Sequence, residues 1–265
     1  MRKLHLLGVR VCATDYDEAC EAVRVAAVTR SPFTVTALAV HGVMTGALDP
    51  LHRQRLNTLD MVVPDGQPVR WGLNLLFGAG LRDRVCGPKL MLQVCAMCAQ
   101  QGLRIAFYGN KQAVLDELCG NLRATYPGLD VAAAIPSRFG RVSQAEQVAL
   151  AEQISASGAN IVFVGLGCPR QEVWLFENRA LLRMPTIAVG AAFDFHAKRA
   201  RLAPVWMQDA GLEWLYRFWH EPRRLWRRYL LLNPLYLMML ALQKIGLKRF
   251  AVRDEPSGVP YEGYA

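Results

Sequence analysis

Three stretches of the 265-residue chain combine acids, bases and glycines in patterns that suit group transfer. The first is Met61-Val62-Val63-Pro64-Asp65-Gly66, in which a carboxylate directly follows a short apolar run. A carboxylate in a turn at a strand's end can act as a general base, although the same spelling also suits a plain Asp-Gly turn. His41 and Asp194, the latter in AAFDF, are alternative bases. The second stretch is VGLGCPRQE, running through Gly165, Gly167 and Gln171. Glycines behind a strand let backbone N–H groups approach a ligand, and a helix starting near Pro169 turns its N-terminus toward an anion. The third is 203–228, where Trp206, Trp214, Trp219 and Trp226 alternate with Arg217, Arg223, Arg224, Arg227 and Arg228. Such a surface suits an anionic, amphipathic partner. Arg84 in RVCGPKL is a further candidate, because a guanidinium fork matches the oxygens of a diphosphate.

The charge pattern supports the weight placed on the third stretch. The formal net charge is +9, and the segment 196–253 alone holds 12 Lys/Arg against 3 Asp/Glu. The remainder is therefore balanced, and the basicity points to an anionic partner at one end of the molecule. A hydrophobic content of 52% and a charged content of 20% describe a globular chain with a sizeable core. Seven cysteines, an odd number, do not make a disulfide framework, and Cys95-x-x-Cys98 lacks the second pair of a zinc site. Both lie in an amphipathic helical pattern and read as buried thiols in a reducing cytoplasm. MRKLHLLGVRVCATD reads as a first strand and not as a signal peptide.

These residues need elements to position them. Apolar runs predict strands over 4–11, 33–38, 61–63, 103–108, 129–135, 160–164 and 185–189. Helices are predicted over 15–28, 40–59 with a break at Asp49-Pro50, 88–101, 111–126, 143–155 and 169–182. Strands alternating with helices predict an α/β fold: a Rossmann-like, mostly parallel sheet with helices on both faces. Ligands of such sheets bind where the strands end. Asn110, 165–167 and 190–194 are therefore expected to line one crevice, with Asp65 nearby. The chain divides into an α/β catalytic domain over 1–202, a helical appendage over 203–250 and a flexible tail over 251–265, with Pro256 onward fraying.

Taken together, PDGQPVRWG, RVCGPKL, FYGN, VGLGCPRQEVWLFEN, GAAFDF and LEWLYRFWHEPRRLWRRYLLLNP resemble the WecG/TagA/CpsF family of glycosyltransferases, in order over about 7–247. The resemblance implies a bacterial, inverting, metal-independent enzyme without a cofactor. Such an enzyme moves a sugar from a UDP-sugar onto a polyprenyl diphosphate that already carries one sugar. It implies that Asp65 is the base and that Gln171 contacts the nucleotide, with Arg84 matching a family arginine. By spacing, Arg217, Arg224 and Arg227 match the appendage arginines that hold diphosphate. Many members carry Thr-x-Asn on the second strand to contact the sugar. Here Thr36 matches and Leu38 replaces the Asn. That departure favours UDP-glucose, a β-1,4 link and exopolysaccharide assembly, with UDP-N-acetylmannosamine and lipid-linked GlcNAc as the alternative.

The chemistry of the residues agrees with this expectation. Inversion needs one base to deprotonate the acceptor hydroxyl, and without a DxD-like metal pair the leaving diphosphate needs arginines. The apolar run 229–242 has 14 residues and contains Asn233-Pro234, too short for the roughly 20 residues of a spanning helix. It suits an interfacial segment that holds the protein peripherally on the cytoplasmic face of the bacterial inner membrane, against anionic lipid. Packing of this helix on the body or in a homo-oligomer interface is the alternative. A non-catalytic lipid- or nucleic-acid-binding module is the reading from another class; the family resemblance argues against nucleic acid. A dinucleotide oxidoreductase is disfavoured because the third glycine of its fingerprint is missing.

Overall fold

Short β-branched and apolar runs, most of them closed by Gly, Pro or Asp, become parallel strands in the computed structural model. It describes residues 1–250 and 258–264, and at Arg224 the backbone alone. Strands β3 (Phe33–Leu38), β4 (Met61–Pro64), β5 (Arg104–Gly109), β6 (Asp130–Ile135), β7 (Ile161–Gly165) and β8 (Pro185–Ala188) form one sheet in the order β4-β3-β8-β7-β5-β6. Every pairing in it is parallel. Alternate residues feed two cores, as the period of two requires. Leu38, Val62, Ala106, Val162 and Ala188 face one core, which includes residues of α2 (Val40–Leu48), α3 (Pro50–Thr58) and α8 (Arg170–Asn178). Val35, Val63, Phe107, Phe163 and Ile187 face the other, with α1 (Tyr16–Val28), α5 (Gly87–Gln101) and α6 (Gln112–Thr125). The expected α/β fold with helices on both faces is thus the observed one. Cys95 and Cys98 are buried free thiols.

The first strand departs from expectation. The run 4–11 is not one strand but a hairpin of β1 (Arg2–Leu6) and β2 (Val9–Ala13), separate from the main sheet. Leu7 and Gly8 both take positive φ, 52° and 86°, as the tightest hairpin turns demand. Leucine is a poor turn signal, so periodicity alone reads straight through it. A second omission is α4 (Gln67–Phe77), which follows directly on the Pro64-Asp65-Gly66 turn.

The appendage is a chain of short helices: α10 (Val205–Asp209), α11 (Glu213–His220), α12 (Pro222–Trp226), a π-helical segment (Arg227–Leu232) and α13 (Asn233–Lys244). Its last helix gives part of the run 229–242 the alternative placement, packing on the body. One face of α13 enters the first core through Tyr236, Met239 and Leu240, while Leu237 and Met238 stay exposed. Gln243 fastens it to the hairpin, accepting from Leu7 N at 2.9 Å and donating to His5 O at 2.8 Å. Among the described residues no helix is long and apolar enough to cross a membrane.

The tail is also not frayed over 258–264. Val142 N donates to Gly263 O at 2.7 Å, and Glu262 N donates to a carboxylate oxygen of Glu177 at 2.7 Å. Glu262 in turn pairs at 2.7 Å with Arg55, whose side chain is 3% exposed. A buried guanidinium needs a partner, and the chain end supplies it. The remainder of the predicted tail, 251–257 and 265, lies outside the described residues.

Candidate active site

The C-terminal ends of β3, β4, β7 and β8 open on one cavity of about 260 Å³. Residues 39–42 border it after β3, Asp65 to Pro68 after β4, Gly167 and Gln171 after β7, and Gly190 after β8. The helices that start here, α2, α4, α5 and α8, carry no side-chain cap at their N-termini. Four positive dipole ends converge on one space, and at α5 the Gly87 N–H is already turned to Asp65 Oδ2, at 3.4 Å. The appendage roofs the cavity with Gln208, Glu213, Trp214, Arg217, Arg228 and Tyr229. Tyr236 of α13 ties roof to floor, its hydroxyl donating to Pro68 O at 2.9 Å.

Asp65 sits at the floor because β4 ends in proline and Asp65 N continues the strand pairing, donating to Leu38 O at 3.0 Å. Its side chain is 23% exposed. Burial pushes its carboxyl up to about 6 and Glu213 adds to the push, while Arg84, the Gly87 N–H and Arg217 pull the other way. Arg84 lies beside it, Nη1 standing 3.9 Å from Asp65 Oδ1, while Nη2 donates to Glu213 Oε2 at 2.6 Å. Burial disfavours the Arg84 charge, yet the two carboxylates outweigh burial and keep its pKa above the ordinary arginine value. His41, the alternative base, also borders the cavity, but burial and the Arg228 charge push it down to about 4. It is a neutral imidazole near pH 7.

Behind the wall lies a fully buried carboxylate. Glu172 Oε1 accepts from the Thr36 hydroxyl at 2.9 Å and from Gln171 Nε2 at 2.8 Å. Burial raises the Glu172 pKa, and these two donors oppose the rise. With its NH₂ so engaged, Gln171 keeps Oε1 buried and without a hydrogen-bond partner among the described residues, on the side of Gly190. An unpaired carbonyl at a cavity wall is a ready acceptor for a ligand N–H or O–H.

The predicted site residues therefore separate. Asp65, Arg84, Gly167, Gln171 and Arg217 border the cavity. Thr36 is buried behind it, held on Glu172. Asn110 and Asp194 do not reach the cavity. They bond each other, Asn110 Nδ2 donating to Asp194 Oδ1 at 3.1 Å, beyond the β5 end. Gly165 serves packing: a Cβ there would stand 2.5 Å from the Phe193 ring. Arg227 is exposed over the Trp226 ring, and its neighbour Arg228 faces the cavity instead. The Arg224 side chain lies outside the described residues. Sequence reading misses Glu213, Gln208 and Tyr229, and names Trp214 and Arg228 only as part of the basic aromatic surface. For Glu213 a signal existed, since it precedes Arg217 by four residues and so shares its helix face. A second cavity, of about 410 Å³, lies across Arg217 and is lined by Arg199, Arg201 and His220. Among the described residues no group of three or more His, Cys, Asp or Glu could hold a metal ion.

A model of the glycosyl transferase WecG/TagA/CpsF family matches residues 4–250. The chain belongs to this family. It is a glycosyltransferase, and Asp65 and Gln171 fall within the matched span. Two relatives carry the same description, N-acetylglucosaminyldiphosphoundecaprenol N-acetyl-beta-D-mannosaminyltransferase. The one from Bacillus spizizenii is 31% identical over 183 residues, covering 69% of this chain and 68% of the relative. The one from Bacillus subtilis is 27% identical over 201 residues, covering 76% and 75%. Neither description names a glucose donor or exopolysaccharide, so the expectation drawn from Leu38 finds no support in these WecG/TagA/CpsF relatives.

Proposed function

We propose that this WecG/TagA/CpsF glycosyltransferase moves N-acetylmannosamine from its UDP-activated form onto N-acetylglucosamine carried by a polyprenyl diphosphate, with inversion at the transferred carbon. The observation that carries the reading is the Asp65 carboxylate between Arg84 and Arg217, at the meeting point of four helix N-termini. The names of the two relatives support the sugar and the acceptor. Asp65 takes the proton of the acceptor hydroxyl as that oxygen attacks C1 from the face opposite UDP. Burial keeps the carboxyl's proton affinity high enough to accept the proton, yet it is ionised above about pH 6. As the bond to UDP breaks, negative charge grows on the diphosphate, and arginines and helix dipoles stabilise it. Arg217 and Arg228 suit this role from the roof, with Arg224 and Arg227 as further candidates of the same appendage. The Gln171 carbonyl suits an N–H of the donor, and Thr36 acts through Glu172.

The exposed apolar side chains of the appendage support a peripheral station on an anionic membrane, where a lipid-linked acceptor is found. Val205, Trp206, Trp219, Leu230 and Leu231 all face solvent, the last three in helical segments that also carry Arg217, Arg227 and Arg228.

The test is transfer from a panel of UDP-sugars, with UDP-glucose included, to a short-chain polyprenyl-diphosphate-N-acetylglucosamine. UDP-N-acetylmannosamine is expected to be the best donor. Asp65→Asn should cut kcat by roughly 10²–10⁴-fold while leaving UDP affinity in place. Equal transfer by wild type and Asp65→Asn would remove Asp65 from its role. Preference for UDP-glucose would replace the donor and leave the rest of the reading intact.

A further inference from the structure

Glu213 stands in the first turn of α11, on the appendage, yet its closest charged partner belongs to the catalytic body. Arg84 Nη2 donates to its Oε2 at 2.6 Å and, more weakly, to Gln208 Oε1 of α10 at 3.4 Å. The other terminal nitrogen of Arg84 stops 3.9 Å from Asp65, outside hydrogen-bond range. Arg84 is therefore shared unequally between two carboxylates and committed to the one that the appendage brings. Left with Asp65 alone, a guanidinium so placed needs about 1 Å of movement to form a direct, charge-assisted pair with the base. That pair would cover the carboxylate oxygen that has to receive the acceptor's proton.

We propose that Glu213 is a positioning residue that holds Arg84 off Asp65, so that the base is open to the acceptor only while the appendage is seated on the body. The proposal rests on reading Asp65 as the base. It makes the appendage part of the catalytic state and not only a membrane contact, because seating it delivers the carboxylate that draws Arg84 aside. The groups facing Asp65 are Arg84 and Cys86 ahead of α5, the Gly87 N–H at its start, Tyr16 of α1, and Glu213 and Arg217 of α11. Within this set Glu213 supplies the negative charge that adds to burial in holding the Asp65 carboxyl up, and Arg84 the leading positive charge that opposes it.

The experiment compares full-length wild type, Glu213→Gln, Glu213→Asp and Gln208→Ala, measuring transfer to the short-chain acceptor on both sides of pH 6. Loss of a like charge and closure of Arg84 on Asp65 both lower the Asp65 pKa. The acid limb of kcat/KM should thus move down by about one pH unit or more in Glu213→Gln. Its kcat should fall by about tenfold or more, with both KM values changing less. Glu213→Asp should recover most of the wild-type limb. Gln208→Ala removes a neutral partner of the same nitrogen and should leave the limb in place. An unmoved limb in Glu213→Gln overturns the proposal even if rate or stability drops, because a mere prop would lower both without touching the titration. A limb moved equally by Gln208→Ala overturns it as well. If Glu213→Gln fails to fold, the shortened acid decides: a limb unmoved in Glu213→Asp with a tenfold lower kcat counts against the proposal. Failure of the base assignment would appear separately, as transfer by Asp65→Asn.

Discussion

Burial pushes the Asp65 carboxyl from its ordinary 3.8 up to about 6, so near neutral pH the folded chain holds an ionised group that unfolding would return to water. The sign of the linkage follows. Below about 4 the group is protonated in both states and its burial costs least. Between about 4 and 6 the folded chain keeps a proton that the unfolded chain releases, so stability falls as pH rises, and above 6 the loss is complete. Asp65→Asn should therefore raise stability toward urea at pH 8 by on the order of 1–3 kcal/mol, with the gap closing below about pH 4. A variant no more stable than wild type at pH 8 would contradict this. The same titration sets activity: wild-type kcat/KM should fall tenfold per pH unit below about 6, as the base takes up its proton. At this scale the chain was partly legible. A carboxylate after a strand makes Asp65 a candidate base from its local sequence, whereas the role expected of Gln171 comes from the family resemblance of its motif. Glu213 was passed over because its importance comes from Arg84, 129 residues away in sequence.

Helix α13 and its neighbours divide between core and surface along the helical period. Tyr236 is buried, whereas Trp219 of α11 is 82% exposed. Substitution should separate the two functions. Tyr236→Ala should cost about 3–5 kcal/mol of urea stability through the cavity it leaves and the lost bond to Pro68. Trp219→Ala should leave stability within about 0.5 kcal/mol but weaken sedimentation with anionic vesicles by about tenfold, the worth of one aromatic side chain leaving water. Equal vesicle binding by Trp219→Ala and wild type would place the membrane contact elsewhere. The sequence leaves interfacial and docked readings of the run 229–242 both open, because composition does not give the phase of a helix against its neighbours. Only the packing of Tyr236, Met239 and Leu240 on the hairpin and α4 divides it.

Across the whole molecule, contacts hold both the last helix of the appendage and the segment that follows it. Gln243 and Tyr236 fix α13 to the body, and beyond it the chain end returns to Arg55, Val142 and Glu177. Glu262→Ala removes the carboxylate partner of buried Arg55 and leaves it, among the described residues, on the Pro260 carbonyl, so it should cost about 2–3 kcal/mol in urea unfolding, and an unchanged midpoint would show the strap to be dispensable. The regional charge, the alternation of strands and helices, the helix starts at Asp15 and Ser143 and the break at Asp49 followed from the sequence by itself. Each depends on residues a few positions apart. The strand order β4-β3-β8-β7-β5-β6, the choice of Arg228 over Arg227 at the cavity, the retreat of Asn110 and Asp194 from it and the pairing of Arg84 with Glu213 were decided only by tertiary structure. Crossovers and helix phases bring together groups that no local period relates, and the competition of one guanidinium between two carboxylates exists only once all three are in place.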